Sequence, residues 1–278
     1  MQFNQITVII PTLGNRNINK LLSDLTNSVF IKEIIISQPR KMNKNFFFKN
    51  KKIKIYYSDL KNQVYQRVSP IKLINTKYLL YIDDDVLLKK DFLNNLYKNA
   101  VKCGSRFVLS PCYYDDNQNK IHSLDGNFYF NLKKIFLFFA FRVPLGKKRM
   151  GFISKSGSCY GVDPDYIKKE FYISQWFPGG CFLLPTRMME RNFYFNIRQK
   201  SIGEDLLLSY ILKKKCSIIV SKKLSIYTEK PQALNTKTQI NQYLNAHKYL
   251  CKRINLNNIY TKIWRLFFLI KLKTLSNG

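Results

Sequence analysis

Acidic residues are scarce in this chain: 17 Asp plus Glu stand against 47 Lys plus Arg in 278 residues, a formal net charge of +30. The imbalance excludes strongly basic partners and leaves nucleic acid, an anionic membrane face or phosphorylated small molecules. Cysteine offers no paired chemistry. Cys103, Cys112, Cys159, Cys181, Cys216 and Cys251 are dispersed, with no CxxC pair and no metal-ligand spacing, so they read as reduced, buried thiols of a cytosolic chain. Long apolar runs are also missing. None approaches the roughly 20 residues that span a bilayer. The N-terminus, MQFNQITVII, runs directly into a strand without a basic region or cleavage site, which argues against a signal peptide. The expectation is a cytoplasmic protein, free or peripheral at the inner face of the cell membrane. The length suits one large α/β domain, or such a domain with a small appendage.

Where acids are few, a cluster of them stands out. In KYLLYIDDDVLLKK, the β-favouring run Tyr78 to Ile82 reads as a buried strand that ends in three adjacent carboxylates, Asp83, Asp84 and Asp85. Their repulsion calls for a positive partner, and Mg²⁺ or Mn²⁺ is the natural one. Magnesium takes oxygen ligands, typically one or two carboxylates plus the phosphate oxygens of a substrate. A second D-x-D, Asp163 and Asp165 around Pro164, follows a Gly- and Ser-bearing loop with no apolar strand before it and reads as a turn.

Strands and helices alternate over the first ~110 residues. Ile6 to Ile10 is a strand, and Ile18, Leu21, Leu22 and Leu25 share a helix face. Strands follow at Glu33 to Ser37 and Lys52 to Tyr57, then a helical segment from Gln63 to Asn75 that Pro70 should divide. Phe92, Leu93, Leu96, Tyr97 and Ala100 mark a helix, and Arg106 to Ser110 a strand closed by Pro111. The rhythm is lost over residues 112–175, which include the paired acids Asp115 and Asp116. It resumes with a Pro178-Gly179-Gly180 turn, the strand Cys181 to Leu184, a helix opened by Glu204 and Asp205, and the strand Ser217 to Val220. Two helices, Thr238 to Arg253 and Ile259 to Lys273, close the chain. This pattern predicts an α/β fold with a Rossmann-like, doubly wound, mostly parallel sheet and a C-terminal helical extension. Ligands of such sheets sit at the carboxyl ends of the strands, where the aspartate triplet lies.

Taken in order, VIIPTLGNR at Val8 to Arg16, Arg67 before the central strand, YLLYIDDD, the WFPGG turn and GEDLLLSYILKKK at Gly203 to Lys215 resemble the family 2 glycosyltransferases, which have the A-type glycosyltransferase (GT-A) fold. The resemblance covers roughly residues 5–230. It implies a glycosyltransferase domain over residues 1–230, with 231–278 as the helical extension. It also implies inverting transfer of a sugar from a nucleotide-diphosphate-sugar donor to a glycan or lipid-linked acceptor, as in bacterial polysaccharide biosynthesis. Carried over residue by residue, Pro11, Thr12 and Arg16 lie beside the nucleotide, and Arg67 lines the diphosphate side. Asp83 and Asp84 contact ribose or donor sugar, and Asp85, with Asp83, holds the metal. Gly179 and Gly180 let the backbone approach the sugar, Trp176 meets the acceptor, and Asp205 is the general base supported by Glu204. The chain departs from the family twice. Ser37, Gln38 and Pro39 stand where an acidic residue commonly meets the base, and Ser225, Tyr227 and Thr228 stand where a loop His is frequent; the only histidines are His122 and His247.

Two other classes remain open from sequence. A sugar-nucleotide nucleotidyltransferase uses a related sheet and metal, but PTLGNRN is a thin match to a phosphate loop. A nucleic-acid binder suits the charge, yet the basic residues are dispersed and carry no recognised motif, so no nucleic acid is expected. The apolar run Ile135 to Phe141 and the basic, apolar C-terminal helix YTKIWRLFFLIKLK suit either core packing or an anionic membrane surface.

Overall fold

The computed structural model describes residues 4–40, 50–122, 139–144, 146–190, 203–229, 236–256 and 259–276. Among the described residues nine strands form one sheet: β1 (Ile6–Pro11), β2 (Ile31–Pro39), β3 (Ile53–Ser58), β4 (Tyr78–Ile82), β5 (Leu87–Leu88), β6 (Phe107–Tyr114), β7 (Phe171–Ser174), β8 (Cys181–Pro185) and β9 (Ser217–Tyr227), in the order β3-β2-β1-β4-β8-β6-β9-β5, with β7 paired to β9. The described helices are α1 (Asn19–Thr26), α2 (Gln63–Val68), α3 (Phe92–Lys102), α4 (Glu204–Leu212), α5 (Lys237–Arg253) and α6 (Ile259–Ser276).

The continuous apolar runs of β1 and β4 follow from burial on both faces. Ile6, Val8, Ile10, Tyr78, Leu80 and Ile82 pack against Leu22 and Leu25 of α1 and Leu96 of α3. Ile9, Leu79 and Tyr81 face Val64 and Val68 of α2 and Leu208 and Leu212 of α4. The central sheet is therefore closed to water on both sides.

The parallel arrangement holds from β3 through β4, whereas the other half is mixed. Strand β8 enters antiparallel between β4 and β6, pairing Ile82 with Cys181. This reversal sets the start of β8 against the end of β4, so the Pro178-Gly179-Gly180 turn lies beside the aspartates. Pro70 divides the helical segment as its missing N–H requires, leaving α2 and a 3₁₀ turn, Ser69–Leu73.

Strands β6, β9 and β7 differ from the sequence reading, as does the short β5, which that reading did not contain. Strand β6 runs through Pro111 to Tyr114, because a register shift between Ser110 and Cys112 in the pairing with β9 accommodates the proline. Strand β9 runs on to Tyr227, since the other half of β6 and the two-residue β5 extend its pairing. Within residues 112–175, Phe171–Ser174 forms an antiparallel edge strand whose half-exposed pattern gave little periodic signal.

A Thr236–Gln239 capping box starts α5, and α5 and α6 share Ile240, Leu244 and Trp264 with Phe141 and Val143. Leu250 of α5 and Ile254 just after it join Leu206 and Leu207 of α4, so α5 packs directly behind the acidic pair. Most of the Ile135 to Phe141 run lies outside the described residues; of its end, Phe141 is buried and Phe139 is 64% exposed. All six cysteines are free, three of them buried and three partly so.

Candidate active site

The triplet leaves β4 as a turn whose carboxylates diverge to three separate partners. The Asp83 N–H donates to Gly180 O at 2.8 Å, and its Oδ1 accepts from Arg67 Nη2 at 2.6 Å. Asp84 Oδ2 accepts from Thr12 Oγ1 at 2.5 Å, and its Oδ1 lies 3.6 Å from Arg16 Nε. Asp85 Oδ2 accepts from Thr228 Oγ1 at 3.1 Å, at the end of β9. Mutual repulsion is thus relieved by separation and by two guanidinium groups.

Arg67 decides how the site is joined. Only 1% of it is exposed, because it shares the inner face of α2 with Val64 and Val68. Its Nη2 holds Asp83 and its Nη1 donates to Glu204 Oε1 at 2.9 Å, bridging the carboxyl end of β4 to the start of α4. Arg67, expected on the diphosphate side, is a buried link between the two acidic clusters. Two charge-assisted bonds, one from each terminal nitrogen, engage its fork.

Glu204 and Asp205 open α4 behind Gly203, whose φ of +77° is the left-handed region that glycine tolerates. A Cβ at Gly203 would also lie 2.8 Å from Leu250 Cδ1, the movable end of a side chain, so the φ angle is what favours glycine. Asp205 Oδ1 accepts the Leu206 N–H at 2.8 Å. Burial, then the charge of Glu204, pushes the Asp205 carboxyl up to about 7, with the Leu206 N–H and Arg67 opposing. Burial also lifts Asp83 to about 6 against the pull of Arg67, and raises Asp84 against its bond from Thr12. Two carboxyls tuned toward neutrality in one place mark a site suited to moving protons.

Gly179 and Gly180 lie between the clusters. A Cβ on Gly179 would sit 3.3 Å from Arg67 Nη1 and 3.5 Å from Asp205 Cβ; one on Gly180 would sit 3.6 Å from Asp83 Oδ2. The Tyr113 hydroxyl fixes this turn, accepting from Cys181 N at 2.7 Å and lying 2.9 and 3.1 Å from the carbonyl oxygens of Cys181 and Pro178. On the other side of the triplet is a cleft of about 580 Å³ lined by Pro11, Thr12, Leu13, Asn15, Arg16, Lys61, Asn62, Gln63, Gln66 and the three aspartates.

Trp176 does not face this space. It is 8% exposed and packs with Ile153, Leu206, Leu207, Leu250 and Ile254, so the residue expected to meet the acceptor lies against the apolar back of α4. The second D-x-D is a closed turn, with Lys120 paired to both Asp163 and Asp165.

Asp85 and Asp83 supply hard oxygen donors at one edge of the cleft, with one oxygen of each already taken by Thr228 and Arg67. That fits a cation held by one or two carboxylates and completed by substrate phosphates. A full protein cage is a different matter: among the described residues no three His, Cys, Asp or Glu side chains group to hold a metal.

Residues 6–100, about a third of the chain, match the glycosyl transferase family 64 domain. Among solved structures, TarS 1–349 of S. aureus in complex with UDP-GlcNAc aligns over 95% of this chain and 72% of its own, with 15% identity and a TM-score of 0.54. The fold is the A-type glycosyltransferase fold. GalNAc-T7 with UDP, GalNAc and Mn²⁺ matches it over 94% of this chain at 12% identity and a TM-score of 0.53. The chain spans 54% of the length of GalNAc-T7 and 65% of another TarS 1–349 structure, which has a TM-score of 0.52. No curated protein matches the chain by sequence. The matched family model describes a glycosyl transferase domain, and the solved neighbours share the fold.

Sequence reasoning missed four residues that this glycosyltransferase fold brings to the site. Tyr113 lies beyond the proline taken as a strand end. Gln66 donates to Thr12 O at 2.7 Å and Ser37 O at 2.6 Å, tying two strand ends together, and nothing in a polar helix sets it apart. Thr228 and Glu229 follow the last strand, where the family's loop His was sought; proximity to that position is the signal that could have found them.

Proposed function

We propose that the protein is an inverting, metal-dependent glycosyltransferase moving a sugar from a nucleotide-diphosphate-sugar donor to a hydroxyl of a glycan or lipid-linked acceptor by single displacement. The observation that carries this reading is the Arg67 bridge, which holds Asp83 and Glu204, 121 positions apart in the chain, on one guanidinium. Pro11, Thr12, Arg16 and Asp84 line the cleft assigned to the nucleotide. Asp85 and Asp83 would hold Mg²⁺ or Mn²⁺, which supplies positive charge to the departing diphosphate. Gly179 and Gly180 leave room for the sugar between the two acidic clusters. The Asp205 carboxylate takes the proton of the acceptor hydroxyl, whose oxygen bonds to the anomeric carbon as the sugar–phosphate bond breaks. The bonding electrons of that bond leave with the nucleoside diphosphate.

UDP-, GDP- and dTDP-sugars presented with Mn²⁺ should include one donor that raises Tm and is slowly hydrolysed. Asp85→Ala should remove the metal-dependent part of that shift. No stabilisation by any donor, together with salt-sensitive binding of single-stranded DNA, would sink the reading.

An anionic membrane face is the proposed surface for a lipid-linked acceptor. No described helix is long and apolar enough to cross a membrane. Instead α6 exposes Leu266 (58%), Phe267 (46%) and Ile270 (55%) on a chain of net charge +30, the combination that suits an interfacial helix. Replacing Leu266 and Ile270 by Ser should lower co-flotation with phosphatidylglycerol vesicles by roughly 10-fold or more, given about 1.5–3 kcal/mol for burying each side chain. Equal flotation of both proteins, or no preference for anionic over neutral vesicles, would refute it.

A further inference from the structure

Arg16, on the wall of the donor cleft, is paired with a carboxylate of the protein's own. Arg16, on the loop after β1, directs its fork to Glu229, on the loop after β9: Nη1 bonds Oε1, and Nη2 bonds Oε2 at 2.8 Å. The two residues are 213 positions apart and both reach water, with side-chain exposures of 36% and 55%. The neighbouring residue is anchored: Thr228 N–H donates to Tyr114 O at 3.0 Å and its hydroxyl to Asp85, while β5 pairs Leu87 with Tyr227. The Thr228–Glu229 dipeptide therefore touches both halves of the site, a hydroxyl on the acidic triplet and a carboxylate on the cation.

The guanidinium fork binds carboxylate and phosphate with the same two-point geometry. Arg16 lines the cleft together with Lys61 and the triplet, so a diphosphate entering there meets a fork that is already occupied. Exposed ion pairs are weak, amounting to a factor of about 1.5 to 5 in an equilibrium. A ligand carrying a diphosphate can displace such a partner, whereas a ligand without phosphate has no means to do so.

We propose, resting on the donor-site reading above, that Glu229 is a specificity-determining residue: its carboxylate holds Arg16 in the donor-free protein, and the diphosphate of the donor takes its place on that fork. Glu229 handicaps diphosphate ligands and is indifferent to nucleosides. The same exchange frees the 228–229 segment at its Glu229 end.

The test is titration calorimetry of the full chain with UDP, GDP and dTDP, and with uridine, guanosine and thymidine, in the presence of Mg²⁺. Glu229→Gln should tighten the preferred diphosphate about 2- to 5-fold and leave its nucleoside unchanged. Arg16→Ala should weaken the diphosphate by roughly 10-fold or more, as expected for lost charge-assisted hydrogen bonds. In the double variant, the gain from Glu229→Gln should vanish. A gain that persists without Arg16 would mean a general field effect and overturn the proposal, as would unchanged or weaker diphosphate binding in Glu229→Gln. Failure of the native chain to bind any of the three diphosphates would instead bring down the donor-site reading itself.

Discussion

Asp205→Asn is expected to remove transfer and leave donor binding intact. A positioned general base contributes about 10²- to 10⁴-fold, so the expected loss is of that size. The amide keeps the shape of the side chain and can still accept the Leu206 N–H, which is why Kd for the donor should hold. The native enzyme's activity should rise with pH along a limb centred near 7, the value to which burial and Glu204 lift this carboxyl. That limb should be missing from whatever activity the variant retains. Stability supplies a second readout. Since the native state keeps its proton up to about 7 while an unfolded Asp releases it near 3.8, the native fold loses stability as pH rises through that window. The variant should lose less over the same window and be more stable than the parent above it. At roughly 2–4 °C per kcal/mol for a chain of this size, a gain of a few degrees in Tm at pH 8 is expected. Normal transfer by Asp205→Asn would show that another group is the base.

Arg67→Ala has the opposite signature, loss of both fold stability and activity. Removing the guanidinium leaves Asp83 and Glu204 facing each other without their shared cation. Breaking a buried ion pair from one side typically costs about 3–5 kcal/mol, a drop of roughly 6–20 °C at the same conversion. The deficit should depend on pH in a defined direction. Arg67 opposes the upward shift of both Asp83 and Asp205, so without it both carboxyls rise further and hold their protons to higher pH. The deficit is then greatest above pH 7 and shrinks toward pH 5, where neutral carboxyls no longer need the cation. Any residual activity should have its rising limb moved to higher pH, a change that damage to packing alone would not produce. Arg67→Lys should recover part of the stability, because an ammonium can satisfy charge but cannot span Asp83 and Glu204 with a rigid fork. If Arg67→Ala unfolds at the temperature of the parent at pH 8, the bridge is not the link described.

The elements that sequence reading located are those whose signal is local. Strand β4 announces itself by five apolar residues ending in carboxylates, and α4 by a glycine followed by two acids. The division of the helix at Pro70 follows from the chemistry of one ring. Even the proximity of Gly179 and Gly180 to the triplet was reachable through motif order. What sequence left undecided depends on which way a side chain turns. Arg67 and Trp176 are residue types that serve equally at a ligand or inside a core, and only packing shows that one is a buried bridge and the other the apolar backing of α4.

By itself, then, the sequence determined the alternation of strands and helices, the position of three carboxylates at a strand end, and a strongly basic chain. These are consequences of periodicity, composition and charge along neighbouring residues. Only the tertiary structure decided that β8 enters in reverse and that the triplet divides among three partners. It alone brought Arg67 onto Asp83 and Glu204, and Glu229 onto Arg16. Those contacts join residues up to 213 positions apart, and strand order and burial, which set them, are properties of the whole sheet that no local stretch encodes.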